Sequence, residues 1–159
     1  MDKEKLLGWS RRAWLLPLLA LACLDCRAFN GPPRKPVPRR LIAELAANLA
    51  GIPYRFGGFD IDGFDCSGLV FYVYDCFGID VPRDAREQGR LPGRIQLKHA
   101  AAADILVFKS RSTWHSAIYL GNGRFIHAPS SGGWVRTDEL NASWLSRLRK
   151  VITLWPRVR

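Results

Sequence analysis

From residue 40 onward, apolar residues first recur at helical spacing and later in short strand-like runs. Leu41, Ile42, Leu45, Ala46 and Leu49 share one helical face, and Gly51 follows as a stop, so a helix is predicted over 40–50. Ile52-Pro53-Tyr54-Arg55-Phe56-Gly57-Gly58 reads as an extended segment running into glycines that permit tight turns, followed by an Asp- and Gly-rich loop over 59–65. The next run, from Cys66 to Phe77, fits two templates. Leu69, Val70, Phe71, Tyr72, Val73 and Tyr74 are strand formers, whereas helical spacing puts Cys66, Leu69, Val70, Val73 and Phe77 on one face. Gly78 ends the run either way. A short helix is predicted from an Asp84 cap through Ala85 to Gly89.

From residue 104 the pattern changes to strands. Ile105-Leu106-Val107-Phe108 is a continuous apolar run, and 115–120 and 124–128 flank the hairpin signal Gly121-Asn122-Gly123. Further short strands are expected at 134–136 and 150–155, with a small helix near 138–147 between them. Helices first and an antiparallel sheet of about five strands afterwards make an α+β domain, assigned to residues 39–159.

The residues before it read differently. Lys3, Lys5, Arg11 and Arg12 precede a short apolar stretch, Ala13 to Ala22, interrupted at Pro17. This is a signal-peptide pattern over 1–22, and ten apolar residues are too few to span a bilayer. Ala20-Leu21-Ala22 is a cleavage site of the A-x-A kind, and with Cys23 it also resembles a lipoprotein box in which Cys23 would carry a lipid anchor. Ser10-Arg11-Arg12-Ala13-Trp14-Leu15 resembles a twin-arginine export signal. Cys23 and Cys26 have CxxC spacing, but Arg27 follows where haem attachment needs His, and no strand–helix context suggests a redox motif. Pro32, Pro33, Pro36 and Pro38 make 23–38 a semi-rigid tether.

Composition narrows the class. With 48% hydrophobic and 24% charged residues, the 159-residue chain can bury a core. The net charge is +10, and it is still +8 without residues 1–22, which hold four Lys/Arg and two Asp/Glu. That favours anionic partners such as the polymers of a bacterial envelope. No nucleic-acid motif or concentrated basic run is present, so nucleic acid is not an expected partner. Cys66 and Cys76, ten residues apart, would lie about 15 Å apart on one helix, beyond disulfide reach.

If residues 66–77 are helical, Asp65 caps the helix and Cys66 sits at its N-terminus, where unpaired N–H groups favour a thiolate. A nucleophilic cysteine needs a base, and the chain has three histidines. His99 has no motif around it and reads as a surface residue. His115 and His127 flank the hairpin, and the turn decides whether they meet. A two-residue Asn122-Gly123 loop pairs Ile118 with His127 and leaves His115 on the opposite face. A three-residue loop pairs Ala117 with His127 and puts both histidines on one face. We expect the three-residue loop, because it unites them. Cys66 would then attack a carbonyl as thiolate, His115 would form the ion pair and shuttle the proton, and His127 would orient His115. The Cys66 N–H and the Tyr54 hydroxyl are the candidate oxyanion donors. A zinc site from Cys66, His115 and His127 lacks any supporting HxxxH or CxxC pair, and no metal or other cofactor is expected.

Five segments, in order, resemble the NlpC/p60 family of bacterial cell-wall cysteine peptidases: Pro53 to Gly58, Gly63 to Val70, Val81-Pro82-Arg83, Asp104 to Phe108, and His115 to Gly123 continuing through Pro129. The resemblance implies a papain-like fold with the cysteine on a helix, and a triad of Cys66, His115 and His127 with Tyr54 as a catalytic-site tyrosine. It also implies hydrolysis of peptidoglycan stem peptides, commonly next to D-glutamate or diaminopimelate, on the periplasmic side of the envelope. Asp65, Ser67 and Arg83 match positions that in relatives shape the site or contact substrate. Two departures stand out: Ala102-Ala103-Asp104 replaces the usual Pro-Gly-Asp, and Ser116-Ala117 replaces a small apolar–Gly pair.

Overall fold

The computed structural model describes residues 37–131 and 133–155. The signal peptide, the lipidation of Cys23, Cys26 and nearly all of the tether lie outside the described residues. The helix α1 spans Arg39–Asn48 and buries Ile42 and Ala46. The ambiguous run resolves as helix α2, Cys66–Asp75, despite its strand-forming residues. Leu69, Val70, Val73 and Tyr74 are all fully buried, so tertiary burial on more than one side outweighs local preference. The expected short helix is α3, Ala85–Gln88, capped by Asp84, whose carboxylate accepts the Arg86 and Glu87 N–H groups.

One six-stranded antiparallel sheet carries the rest, where about five strands were expected. Its strands are β3 (Arg94–Ile95), β4 (Ile105–Ser110), β5 (Thr113–Gly121), β6 (Arg124–His127), β7 (Arg136–Glu139) and β8 (Leu148–Ile152), in the order β3-β8-β4-β5-β6-β7. A separate ribbon pairs β1 (Phe59–Asp60) with β2 (Gly63–Phe64). The extra strand in the sheet is β3, two residues too short to show a period. The expected strands at 134–136 and 150–155 shift to 136–139 and 148–152, and the small helix shortens to α4, Ala142–Arg147. Trp134 instead makes a single bridge to Pro53, and the Asn141 side chain caps α4 through the Trp144 N–H. One sheet face, with Ile105, Val107, Ile118, Ile126 and Ile152, packs on α1 and α2. The other carries Leu106, Phe108, Ala117, Phe125 and Val151 beneath Trp144 of α4.

The β5–β6 hairpin corrects the expected turn. Gly121 pairs with Arg124, so the loop has two residues, and Asn122 and Gly123 both have positive φ (52° and 72°), as a type I′ turn requires. The extra residue sits in the strand instead. The register shifts between Tyr119 and Gly121, leaving Leu120 as a bulge, and Tyr119 then pairs with Phe125 and Ile118 with Ile126. Continued along the strand, that register sets Ala117 opposite His127. The expected pairing is reached through a bulge rather than a longer loop.

Two contacts hold the helices to the sheet near this hairpin. Ala103, the middle residue of the Ala102-Ala103-Asp104 departure, has a φ of 67°. Its N–H donates to the Tyr119 carbonyl at 2.8 Å, and the Ala103 carbonyl accepts from the buried Tyr74 hydroxyl. Next to it, the fully buried Asp104 carboxylate accepts from Arg39 at 2.6 Å and from the Ala101 N–H at 2.8 Å. Arg39 also donates to Thr153 Oγ1 at 2.5 Å and lies over the Trp155 ring at 4.3 Å. Arg39→Ala would leave the Asp104 charge buried and unpaired, and should cost roughly 3–5 kcal/mol in urea unfolding. Arg40 pairs with Glu44, at 3.5 Å on the exposed face of α1. Arg40→Ala should therefore cost less than about 0.5 kcal/mol in the same measurement.

Candidate active site

Asp65 determines how Cys66 is presented. It adopts extended backbone (φ −89°, ψ 177°), and its carboxylate accepts the Gly68 N–H at 2.7 Å, which starts α2 at Cys66. The same carboxylate accepts from the Gly57 N–H at 3.0 Å and from Arg83 at 2.6 and 2.8 Å. Arg83 continues to the Gly58 carbonyl at 3.0 Å and the Ser67 hydroxyl at 3.1 Å. A Cβ on Gly68 would lie 2.0 Å from the Gly58 carbonyl oxygen, so only glycine lets the helix and the 57–58 turn approach this closely. From α3, the buried Gln88 amide donates to the Ser67 and Pro82 carbonyls at 3.0 and 2.8 Å. The hydrogen bonds of Asp65, Ser67 and Arg83 thus run among themselves and the backbone under the cysteine, while all three also line the cleft above it.

That cleft, of about 600 Å³, is bounded by Tyr54, Phe56, Asp65, Cys66, Ser67, Arg83, Trp114, His115 and Ser130 among others. Cys66 and His115 therefore face one cavity. Tyr54 is held by its N–H to the Gly133 carbonyl at 2.8 Å and by a bridge to Phe64. Burial, then the neighbouring Cys66 and Asp65, raise its pKa, so its hydroxyl stays a donor. His99 lies exposed in a short 3₁₀ turn, Leu97–His99, and does not line the cleft.

Burial pushes the Cys66 thiol up, and the Asp65 charge adds to this, whereas hydrogen bonds from the Ser116 and Ser67 N–H groups pull it down without prevailing. The resting form is the thiol. This corrects the expected thiolate: desolvation at this position outweighs the helix N-terminus. Asp65 remains ionised. Burial raises its pKa, but hydrogen bonds from Arg83 and the Gly68 N–H, with the Arg83 charge, hold it below the usual carboxylate range.

The bulged hairpin brings His115 and His127 together. Their rings stand nearly perpendicular, at 88°, with His115 Nε2 2.8 Å from His127 Nδ1. His127 is fully buried, and its Nε2 lies 3.1 Å from Asp138 Oδ2. Arg136 in turn donates from Nε to Asp138 Oδ1 at 3.1 Å. Trp144 closes the far side, with ring centroids 5.7 Å from His115 and 5.1 Å from His127. The Arg147 guanidinium lies over Trp144 at 4.1 Å. Asp138 and Trp144 were not among the expected site residues. Residue 138 reads locally as helix, and only the β6–β7 register, which pairs Asp138 with Phe125 and Arg136 with His127, reveals that Asp138 borders the histidine.

Burial, the adjacent His127 and the Arg147 charge lower the His115 pKa to about 3, against a weaker upward pull from Asp138. Burial lowers that of His127 to about 4, against the Asp138 charge and hydrogen bond. Both rings are neutral near pH 7. Their folded pKa values lie below the ordinary histidine value, so the fold refuses protons that the unfolded chain accepts. Their contribution to stability is complete above about pH 6.5 and shrinks as pH falls toward 4. Melting temperature should therefore drop across that window before the carboxylates titrate, and His115→Gln should flatten the drop.

Comparison with known proteins places these features. The NlpC/P60 family profile matches residues 51–153. The chain is 32% identical over 108 residues to the murein DD-endopeptidase/murein LD-carboxypeptidase MepS of Escherichia coli K12, covering 67% of this chain and 57% of that protein. It thus spans little more than half the length of that relative. It is 30% identical over 147 residues to the probable endopeptidase NlpC of the same organism, covering 84% of this chain and 93% of that one. Among solved structures, an NlpC/P60 family protein from Bacillus cereus matches with a TM-score of 0.71 at 28% identity, over 76% of this chain and 42% of that one. With the family pattern spanning the cleft, both histidine strands and the cysteine helix, the chain belongs to the NlpC/P60 family.

Proposed function

We propose that the protein is a cysteine endopeptidase that hydrolyses peptide bonds in peptidoglycan stem peptides. The observation carrying this reading is one cleft that holds Cys66 at a helix N-terminus and His115, with His115 Nε2 2.8 Å from His127 Nδ1. The relative named as a murein DD-endopeptidase supports the substrate class, and the one named as a probable endopeptidase supports the reaction. The net charge of +10 suits an anionic envelope polymer. In this reading residues 1–22 direct export, 23–38 tether residues 39–159 to the envelope, and Cys23 carries a lipid.

The chemistry follows from the resting thiol. His115 takes the Cys66 proton as the sulfur attacks the scissile carbonyl carbon, forming a C–S bond. The Cys66 N–H and the Tyr54 hydroxyl receive the developing oxyanion. The C–N bond then breaks, and His115 hands its proton to the departing amine. Water adds to the thioester with His115 again as base, the acid leaves, and the thiol is restored. Burial that disfavours the free thiolate also keeps the ion pair from forming before a carbonyl is in place.

Incubation with purified cross-linked and uncross-linked muropeptides, with products identified by mass spectrometry, tests the assignment. Cleavage by the wild type and none by Cys66→Ala is expected. Equal cleavage by Cys66→Ala would overturn it, and binding without cleavage would identify an envelope-binding domain. Acyl transfer to an added amine without hydrolysis would identify a thiol acyltransferase. Tyr54→Phe removes one oxyanion donor and should lower kcat about 10²–10³-fold with little change in KM.

A further inference from the structure

We propose that Asp138 is a positioning residue that sets the tautomers of both histidines, and so decides which nitrogen of His115 is offered to the thiol. The inference rests on the catalytic reading of Cys66 and His115 and adds a residue to it. Its ground is a single file of contacts. Asp138 Oδ2 lies 3.1 Å from His127 Nε2, and His127 Nδ1 lies 2.8 Å from His115 Nε2.

An ionised carboxylate only accepts hydrogen bonds, so His127 must place its proton on Nε2. Burial pushes the Asp138 pKa up, but hydrogen bonds from Arg136 and His127, with the Arg136 charge, hold it below the usual carboxylate value and keep it ionised. With Nε2 protonated, the Nδ1 of a neutral His127 is a lone pair and can only accept. His115 must then donate from its own Nε2. That leaves His115 Nδ1 unprotonated, and it is the ring nitrogen not engaged by His127. A base needs that lone pair. When Nδ1 takes the thiol proton, neither of the two hydrogen bonds has to reverse, so the relay needs no rearrangement during the reaction.

Arg136 gives the arrangement its polarity. It donates from Nε to Asp138 Oδ1 at 3.1 Å and from its second amino group to Oδ2 at 3.4 Å. In Asp138→Asn, the single carbonyl oxygen would turn to Arg136, and the amide NH₂ would face His127. His127 Nε2 would become an acceptor, its Nδ1 a donor, and His115 would have to accept at Nε2 and carry its proton on Nδ1. The base would then present a proton to a thiol. Asp138→Ala merely releases the choice of tautomer. The isosteric variant should therefore be worse than the truncation, the reverse of what a packing role predicts.

The test combines kinetics with ¹⁵N NMR of the histidine rings. Asp138→Asn should lower kcat about 10²–10⁴-fold with KM nearly constant, Asp138→Ala less, and Asp138→Glu should restore part of the loss. In Cys66→Ala protein, His127 should show the Nε2–H tautomer, and the Nδ1–H tautomer once Asp138→Asn is added. That spectrum is read without turnover, so it decides the tautomer claim even if no muropeptide is cleaved. An unchanged tautomer, or an Asp138→Asn enzyme as active as Asp138→Ala, would overturn the proposal. Should Asp138→Asn fail to fold, an Nε2–H tautomer in Asp138→Ala as fully populated as in the Cys66→Ala parent would overturn it equally.

Discussion

The carboxylate of Asp65 is the contact on which the cleft depends. It ends an extended strand, starts a helix, and neutralises an arginine reaching in from another loop. Each of its oxygens bonds to a different part of the chain: one to the Gly68 N–H, the other to the Gly57 N–H, with Arg83 spanning both. Because α2 begins there, the sulfur of Cys66 is placed by backbone geometry rather than by its own rotamer alone. The near contact of Gly68 with the Gly58 carbonyl shows how little slack remains. The same charge also raises the thiol pKa, so the group that positions the nucleophile helps keep it protonated.

Much of this is legible in the sequence, and what is hidden shares one cause. The amphipathic α1, the caps at Asp65 and Asp84, and the place of the hairpin at Gly121-Asn122-Gly123 are local signals, and each appears where its residues place it, although the hairpin loop has two residues rather than the expected three. Cys66, His115 and Tyr54 could be picked out because their chemistry is unusual and their segments resemble a family. The helical state of 66–75 could not be read locally, since Val70, Tyr72 and Val73 prefer strands, and it is packing against the sheet and two helices that buries Val70 and Val73. Asp138 and Trp144 were hidden for a related reason. Each borders the histidines through pairings between segments at least eleven residues apart, which no window of sequence contains.

The two histidines occupy different environments, although they touch. His115 opens onto the cleft, whereas His127 lies sealed among Phe125, Trp144 and the sheet. Sealing one ring removes water as a competing partner, and among the described residues its two ring nitrogens bond to His115 and Asp138. An apolar box around a polar chain is costly unless every member is paired, and here each ring nitrogen of His127 is matched. Arg147, stacked on the outer face of Trp144, adds positive charge behind the box and helps keep both rings neutral.

The bulge at Leu120 has a consequence for how this hairpin can vary. It lies between the type I′ tip and the segment carrying Ala117 and His115, so the phase of inward and outward positions is reset after the tip rather than at it. Exchanging the two tip residues for another turn of the same span leaves that reset intact. Losing the bulge alone would slip one strand by a residue and rotate a histidine to the opposite face. The end of the hairpin is thus free to diverge among lineages, while a single unpaired residue keeps the histidines in step.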